Sequence, residues 1–266
     1  MRANFHTHTT YCDGRLTPEE MVKAAIAHGC AALGFSGHSY EPIDELTCMS
    51  RDGTFEYMRE IKQLREKYAG EIDIFLGIEQ EPYYGRPTEG FDYIIGAVHY
   101  VKVGEGYVSV DDGAEAQRRA VYTYFGDDYY AMAERYFETV AKIDTADIIG
   151  HFDLITKYNF DGKLFDESHP RYVDAALSAM DEVLKSHRLF EVNTGAMFRF
   201  GKLEPYPSAF LLRELHKRGG EVILSSDSHD AESLCYKFDE MRDLLRGIGF
   251  KYVKCLTRDG FVDCRC

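Results

Sequence analysis

Two histidines one residue apart, His6 and His8, stand in the opening stretch Asn4-Phe5-His6-Thr7-His8-Thr9-Thr10-Tyr11-Cys12-Asp13, with an acid five residues further on. Ala3 and Phe5 give the lead-in the pattern of a strand. Side chains at i and i+2 of a strand share a face, so both imidazoles point the same way. Two imidazoles with a carboxylate nearby form a donor set for a divalent cation. Taken alone, the pair fits a solvated surface strand equally well. The far end of the chain weighs against that reading, because Val222-Ile223-Leu224 runs into Ser225-Ser226-Asp227-Ser228-His229, a second apolar strand ending in Asp-x-His.

The same pattern recurs in between. Ala31–Phe35 leads to His38, Ile72–Ile78 to Glu79, Phe91–Val98 to His99, and Asp147–Gly150 to His151, whereas Leu189–Val192 ends in Asn193. Any one histidine at a strand end is ordinary. A whole set of them is a metal site: His6, His8, Asp13, His38, Glu79, His99, His151, Asp227 and His229. One zinc takes about four ligands, so the set suits two or three ions with Glu79 as a bridge. His28, His169, His187 and His216 fall in helices or near helix ends and are expected to be surface or capping residues.

Helices must carry the chain from each strand to the next. Thr17-Pro18-Glu19-Glu20 is a helix start, with an N-cap threonine, proline at the first position and acids in the first turn; Gly29 is the stop. Phe55, Met58, Ile61, Leu64 and Tyr68 space a helix over 54–68. Further helices are expected over 127–143, 170–186, 207–218 and 231–246, with a last strand-like run over 251–256. Residues 100–126, rich in Gly and Tyr, are expected to be a long lid or substrate loop. Alternating strands and helices mean parallel βα units. With every chemical residue at a strand's C-terminal end, the architecture is a βα barrel. Seven strands where such barrels have eight suggest a slightly irregular barrel, and no linker or composition shift divides residues 1–266.

The formal charge is −14, which disfavours a nucleic-acid-binding face and suits a substrate carrying a positive group. No apolar run is long enough for a membrane span, and the N-terminus has no signal segment, so a cytoplasmic location is expected. Seven irregularly spaced cysteines suggest free thiols. Cys12 is expected to be packing, and Cys264 and Cys266 frayed terminal thiols.

These motifs resemble the PHP (polymerase and histidinol phosphatase) family, especially its stand-alone histidinol-phosphate phosphatases. The likeness rests on His6-Thr-His8-Thr with Asp13, Gly37-His38-Ser39, Gly77-Ile-Glu79, Val98-His99-Tyr100, Gly150-His151-Phe-Asp153 and Ser226-Asp227-Ser-His229. It extends to Glu191-Val-Asn193-Thr194-Gly195 and Pro205-Tyr206-Pro207-Ser208 and so spans nearly the whole chain. The resemblance implies a distorted (β/α)7 barrel, a single domain, with a trinuclear metal site; His and carboxylate donors take zinc, iron or manganese alike, and the sequence does not say which. His6, His8, Glu79 and Asp227 would hold one ion, Glu79 with His99 and His151 a second, and Asp13, His38 and His229 the third. It also implies hydrolysis of a small phosphomonoester, L-histidinol phosphate foremost, by in-line attack of a metal-bridging hydroxide. Asp227 or His229 would relay a proton, and Arg199 would bind phosphate. Where the family can carry an arginine, this chain has Thr156 with Lys157 beside it, and a lysine offers phosphate a point charge instead of a fork. Loops 39–52, 81–90 and 101–126, with Tyr83, Tyr84, Tyr100 and Tyr107, would surround the substrate.

Three other readings compete: a PHP phosphoesterase for nucleotides or other small phosphate esters, an amidohydrolase-type barrel, and a non-catalytic metal module. The amidohydrolase reading calls for eight strands and often a metal-bridging lysine, which Glu79 fits poorly. The complete ligand set counts against the non-catalytic module. The sequence is silent on oligomeric state.

Overall fold

Doubly buried apolar runs form the sheet, as parallel strands covered on both faces require. The computed structural model describes residues 2–83 and 88–266. Its first half runs β1 (Ala3–Asn4), α1 (Pro18–Ala27), β2 (Ala32–Phe35), α2 (Arg51–Lys67), β3 (Asp73–Gln80), β4 (Tyr93–Gly96), β5 (Tyr100–Val103), β6 (Gly106–Ser109), α3 (Ala114–Tyr124) and α4 (Tyr129–Val140). Its second half runs β7 (Ile148–Ile149), α5 (Pro170–Val183), β8 (Leu189–Asn193), α6 (Gly195–Phe200), α7 (Ala209–Lys217), β9 (Glu221–Ser225), α8 (Phe238–Ile248), β10 (Tyr252–Thr257) and β11 (Gly260–Arg265).

The large sheet follows the order β1-β2-β3-β4-β7-β8-β9-β10-β11. The first seven of these are mutually parallel. A parallel bridge between Thr7 and Ser228 joins the continuation of β1 to that of β9 and curls the sheet into the distorted (β/α)7 barrel expected from the sequence. β10 pairs with β9 through Lys254↔Ile223, and β11 pairs back on it antiparallel, so the chain end adds a hairpin outside the barrel.

Alternation along the strands decides what faces inward. Phe5, Phe75, Tyr93, Ile95, Ile148, Leu189 and Ile223 form an interior cluster, while Ile74, Leu76, Ile94, Phe190, Val222 and Leu224 join the core beneath the helices. Glu79, Glu191 and Ser225 share parity with Phe75, Leu189 and Ile223, so polar side chains stand directly above the apolar plug. Within that plug the Tyr93 hydroxyl donates to Phe5 O at 2.6 Å and Phe35 O at 3.1 Å. Its ring lies against Gly77, where a Cβ would come within 2.3 Å of it.

Local signals explain most helix limits. Thr17 and Glu20 form the capping box of α1. Ser50 caps α2 and starts it at Arg51, a few residues ahead of the expected position. Three expectations need correction, and the polar run after β8 takes a form the sequence did not suggest. The 100–126 stretch is not an open loop: it folds as the β5–β6 hairpin and α3. The helix expected from 231 starts at Phe238, because residues 230–237 are turns with left-handed φ at Cys235 and Lys237. The Asn193-Thr194-Gly195 run opens a short helix, α6. Cys264 lies paired within β11, opposite Val253, and is not frayed.

Candidate metal centre

The expected metal-type residues lie just past the strand ends, where short continuations of the ladder hold them. The Glu79 N–H donates to Gly37 O and the Ser39 N–H to Glu79 O, fixing His38 beside Glu79. The Gly150 N–H donates to Gly96 O and sets His151 next to the end of β4. All nine residues gather in one place. His6 Nε2 lies 3.2 Å from Glu79 Oε2, His8 Nε2 3.5 Å from the same oxygen, and His38 Nδ1 3.0 Å from it. His151 Nε2 and His99 Nε2 face the other carboxylate oxygen, Oε1, at 2.9 and 3.7 Å. Asp227 Oδ1 is 3.2 Å from His8 Nε2 and 3.7 Å from His6 Nε2. On the outer side Asp13 meets His8 Nδ1 at 3.2 Å, His38 Nε2 at 3.8 Å and His229 Nε2 at 2.9 Å.

Three overlapping donor groups result: His8, Asp13, His38 and His229; His6, His8 and Glu79; and His38, Glu79 and His99. They overlap more than the partition implied by the family resemblance, in which Glu79 alone is shared: here His8, His38 and Glu79 each belong to two groups. A metal fits this arrangement on one plain ground. His6 Nε2, His8 Nε2 and Glu79 Oε2 are buried and have no hydrogen-bond partner, which native proteins rarely tolerate. The position shared between the two inner groups is a glutamate, Glu79.

Behind the donors lie carboxylates to which sequence reading gave no role. Glu191, wholly buried on the interior face of β8, takes His6 Nδ1 through Oε1 at 2.5 Å and also accepts from the Ser225 hydroxyl. Its Oε2 accepts from the His151 N–H at 2.8 Å and the Asn193 amide at 2.9 Å. Glu81 does the same for His99, accepting from its backbone N–H at 2.7 Å and facing Nδ1 at 2.6 Å. Such partners fix the ring tautomer and raise ligand basicity. Parity was the available signal: Glu191 is two residues before Asn193, and Glu81 two residues after Glu79.

The electrostatics follow from burial among opposite charges. Burial alone would depress His6, but Glu191, Glu79 and Asp227 outweigh it and hold the imidazole well above its ordinary value. Burial and the surrounding acids also compete at His99, where Glu79 and Glu81 win and raise it to about 10. Glu79 and Asp227 move the opposite way. Burial would raise them, but His6, His38 and His99 hold Glu79 well below the carboxylate range, and Arg199 and His6 do so for Asp227. His229 is pushed down to about 4 by burial and by the neighbouring His8.

A cavity of about 220 Å³ opens onto this cluster and is lined by Asp13, His38, Glu79 and His99 together with Glu41, Asp44, Tyr100, Asp111, Asp112 and Lys157. Lys157 Nζ pairs with Asp111 Oδ2 at 3.0 Å, so its charge is already shared. Arg199, near the end of α6, donates through Nη2 to Asp227 Oδ2 at 2.8 Å and through Nη1 to His229 Nδ1 at 2.5 Å. The tyrosines behave differently from a stacking cage. Tyr83 and Tyr107 pack edge-on against each other, and the Tyr83 hydroxyl donates to Tyr100 O. Tyr100 lines the cavity and donates its hydroxyl to Asp44. Tyr84 lies outside the described residues. Cys12 packs with Sγ 3.5 Å from His8 Nδ1. The remaining histidines are elsewhere: His28 closes α1, His169 caps α5, His187 meets the carbonyls of Ile143 and Ala146, and His216 packs on Phe250.

Comparison with known proteins adds three findings. The family model described as PHP domain matches residues 4–195. Two relatives bear the name probable histidinol-phosphatase. That of Deinococcus radiodurans is 31% identical over 261 residues, covering 93% of this chain and 94% of that protein. That of Schizosaccharomyces pombe is 27% identical over 258 residues, covering 86% and 81%. Among solved structures, the histidinol phosphate phosphatase of Lactococcus lactis, complexed with Zn, L-histidinol and phosphate, aligns with a TM-score of 0.71 at 20% identity, covering 98% of both chains. At that identity the structural likeness speaks for the fold.

Proposed function

The chain belongs to the family of PHP domains, and from that premise we propose that it is a metal-dependent phosphatase of L-histidinol phosphate, releasing L-histidinol and phosphate. The observation that carries this reading is the convergence of His6 Nε2, His8 Nε2 and Glu79 Oε2, buried and without hydrogen bonds, beside an acidic cavity the size of a small metabolite. The relatives' names and the zinc, histidinol and phosphate of the Lactococcus lactis complex support the same reading. Residues 1–266 are taken as one catalytic domain, and a cytoplasmic setting goes with its biosynthetic role.

His6, His8, Asp13, His38, Glu79, His99, His151, Asp227 and His229 would hold two to three divalent ions. Bound there, zinc, iron or manganese supplies a nucleophile from water at neutral pH and neutralises charge on the phosphoryl oxygens. The chain's own groups do the rest. Glu191 and Glu81 lock His6 and His99 in their orientation. Arg199, held by Asp227 and His229 at the edge of the cluster, offers guanidinium N–H groups to a phosphoryl oxygen. Asp227 or His229 would take up the proton released when water is activated and relay it to the departing alkoxide. The carboxylates of Glu41, Asp44, Asp111 and Asp112 give the cavity a field that favours an alcohol bearing an amine and an imidazole. Lys157, paired with Asp111, lines the cavity and would offer the phosphate a point charge.

Hydrolysis by contaminant-free wild-type protein, set against the His8→Ala plus Glu79→Ala variant, tests the reading. Loss of activity in the double variant is expected. Wild-type rates in it would end the proposal that this cluster is catalytic.

A further inference from the structure

We infer that Cys30 and Cys235 are a modification site, a thiol pair that closes to a reversible disulfide and locks the seam of the barrel. The inference does not depend on the substrate. The seam is where β1 meets β9, and it is thinly made. β1 is two residues long, whereas β8 and β9 pair in register over five. Across the seam the parallel ladder amounts to the Thr7↔Ser228 bridge, with the His8 N–H donating to Ser228 O at 2.8 Å and the Ser228 N–H to His6 O at 3.0 Å. The Ser226 N–H adds a bond to Asn4 Oδ1, also at 2.8 Å. His6 and His8 hang from one side of this join, Asp227 and His229 from the other.

The two thiols straddle the join. Cys30 leads into β2, the neighbour of β1, and Cys235 lies in the turns that follow β9. Their sulfurs are 3.4 Å apart although 205 residues separate them in sequence. Both are buried, at 5% and 7% exposure, and the metal site uses neither. Cys235 is also tied to the metal-bearing turn, since its N–H donates to Ser226 Oγ at 3.0 Å and that oxygen lies 2.8 Å from Ser228 Oγ. A bond between the sulfurs therefore acts on the residues flanking Asp227.

A disulfide needs the sulfurs at roughly 2.05 Å, so closure moves them together by a little over 1 Å. Cys235 sits in a turn segment outside any helix or strand, where such a shift disturbs no ladder. The chemistry balances simply. The two S–H bonds break, one S–S bond forms, and two electrons and two protons pass to an oxidant of the diazene class such as diamide, which becomes its hydrazine.

The test uses the full, metal-loaded chain treated with diamide, followed by alkylation and non-reducing peptide mapping. The expected result is a Cys30–Cys235 cross-linked peptide and a Tm rise of at least about 5 °C, because a bridge closing so long a loop constrains the unfolded chain strongly. Slower metal transfer to a chelator should accompany it, and dithiothreitol should reverse both effects. Cys30→Ala and Cys235→Ala should each abolish the shift, and the wild-type comparison with and without dithiothreitol stands if either variant fails to fold. Both thiols alkylating freely after oxidant treatment, or a Tm shift traced to another pair, would overturn the assignment. A bridge that leaves metal transfer unchanged would overturn the seam lock.

Discussion

Glu191→Gln isolates the contribution of charge behind the proposed metal ligands. The wild-type carboxylate makes four contacts, to His6 Nδ1, the Ser225 hydroxyl, the His151 N–H and the Asn193 amide. Glutamine has nearly the same shape and keeps one carbonyl oxygen, so the His6 ring can stay oriented while the negative charge behind it is lost. Removing an outer partner of this kind typically weakens metal binding about 10- to 100-fold. At roughly 1.4 kcal/mol per tenfold, that is about 1.4–2.8 kcal/mol of metal affinity. Glu191→Ala should be worse, because it also strands the buried His6 and the His151 N–H; breaking a buried pair costs about 3–5 kcal/mol of stability. Competition with a chromophoric chelator measures the affinity, and thermal melting of both variants separates affinity from folding. Excess metal should restore most of the Glu191→Gln activity. An affinity within twofold of wild type in a well-folded Glu191→Gln protein would refute the idea that this carboxylate tunes the site.

Other perturbations have equally definite outcomes. Arg199→Lys should lower kcat/KM by at least about tenfold, because a point charge replaces a fork that spans Asp227 and His229; equal steady-state kinetics would remove Arg199 from the phosphate site. Metal affinity should weaken as pH falls. In the metal-free protein the acids around His6 and His99 raise their pKa values, to about 10 for His99, so protons hold these nitrogens below that pH and metal must displace them. Calorimetry in buffers of different ionisation enthalpy should show proton release on metal binding near pH 7, and none would contradict the sign. Thr17→Ala removes the capping-box hydroxyl of α1, far from the chemistry, and should cost about 1 kcal/mol with steady-state kinetics unchanged.

How much of this was readable in the sequence follows from what each feature depends on. The gathering of these histidines and acids was legible because parallel βα units bring every strand's C-terminal end to one face, so a histidine or acid after an apolar run is placed by topology alone. The start of α1 was legible because its capping box is local. The β5–β6 hairpin and α3 were hidden by the Gly and Tyr content of 100–126, although Tyr100, Val101 and Val108 do pack into structure. The late start of α8 was hidden because residues 230–237 are spent returning from the seam, with Cys235 and Lys237 at positive φ, a tertiary demand that helical spacing does not reveal. Glu191 was legible as part of a motif but not as the partner of His6, because only the barrel's curvature puts His6 beside it. The closeness of Cys30 and Cys235 likewise exists only once the barrel closes.

The most direct test of the central claim is phosphate release from L-histidinol phosphate by the metal-reconstituted protein, run beside AMP and p-nitrophenyl phosphate, with elemental analysis of the same sample. The account expects a clear kcat/KM preference for histidinol phosphate and two to three metal ions per chain. Equal rates on all three substrates, or a preference for the nucleotide, would contradict the assigned substrate, and full activity without bound metal would contradict the site itself.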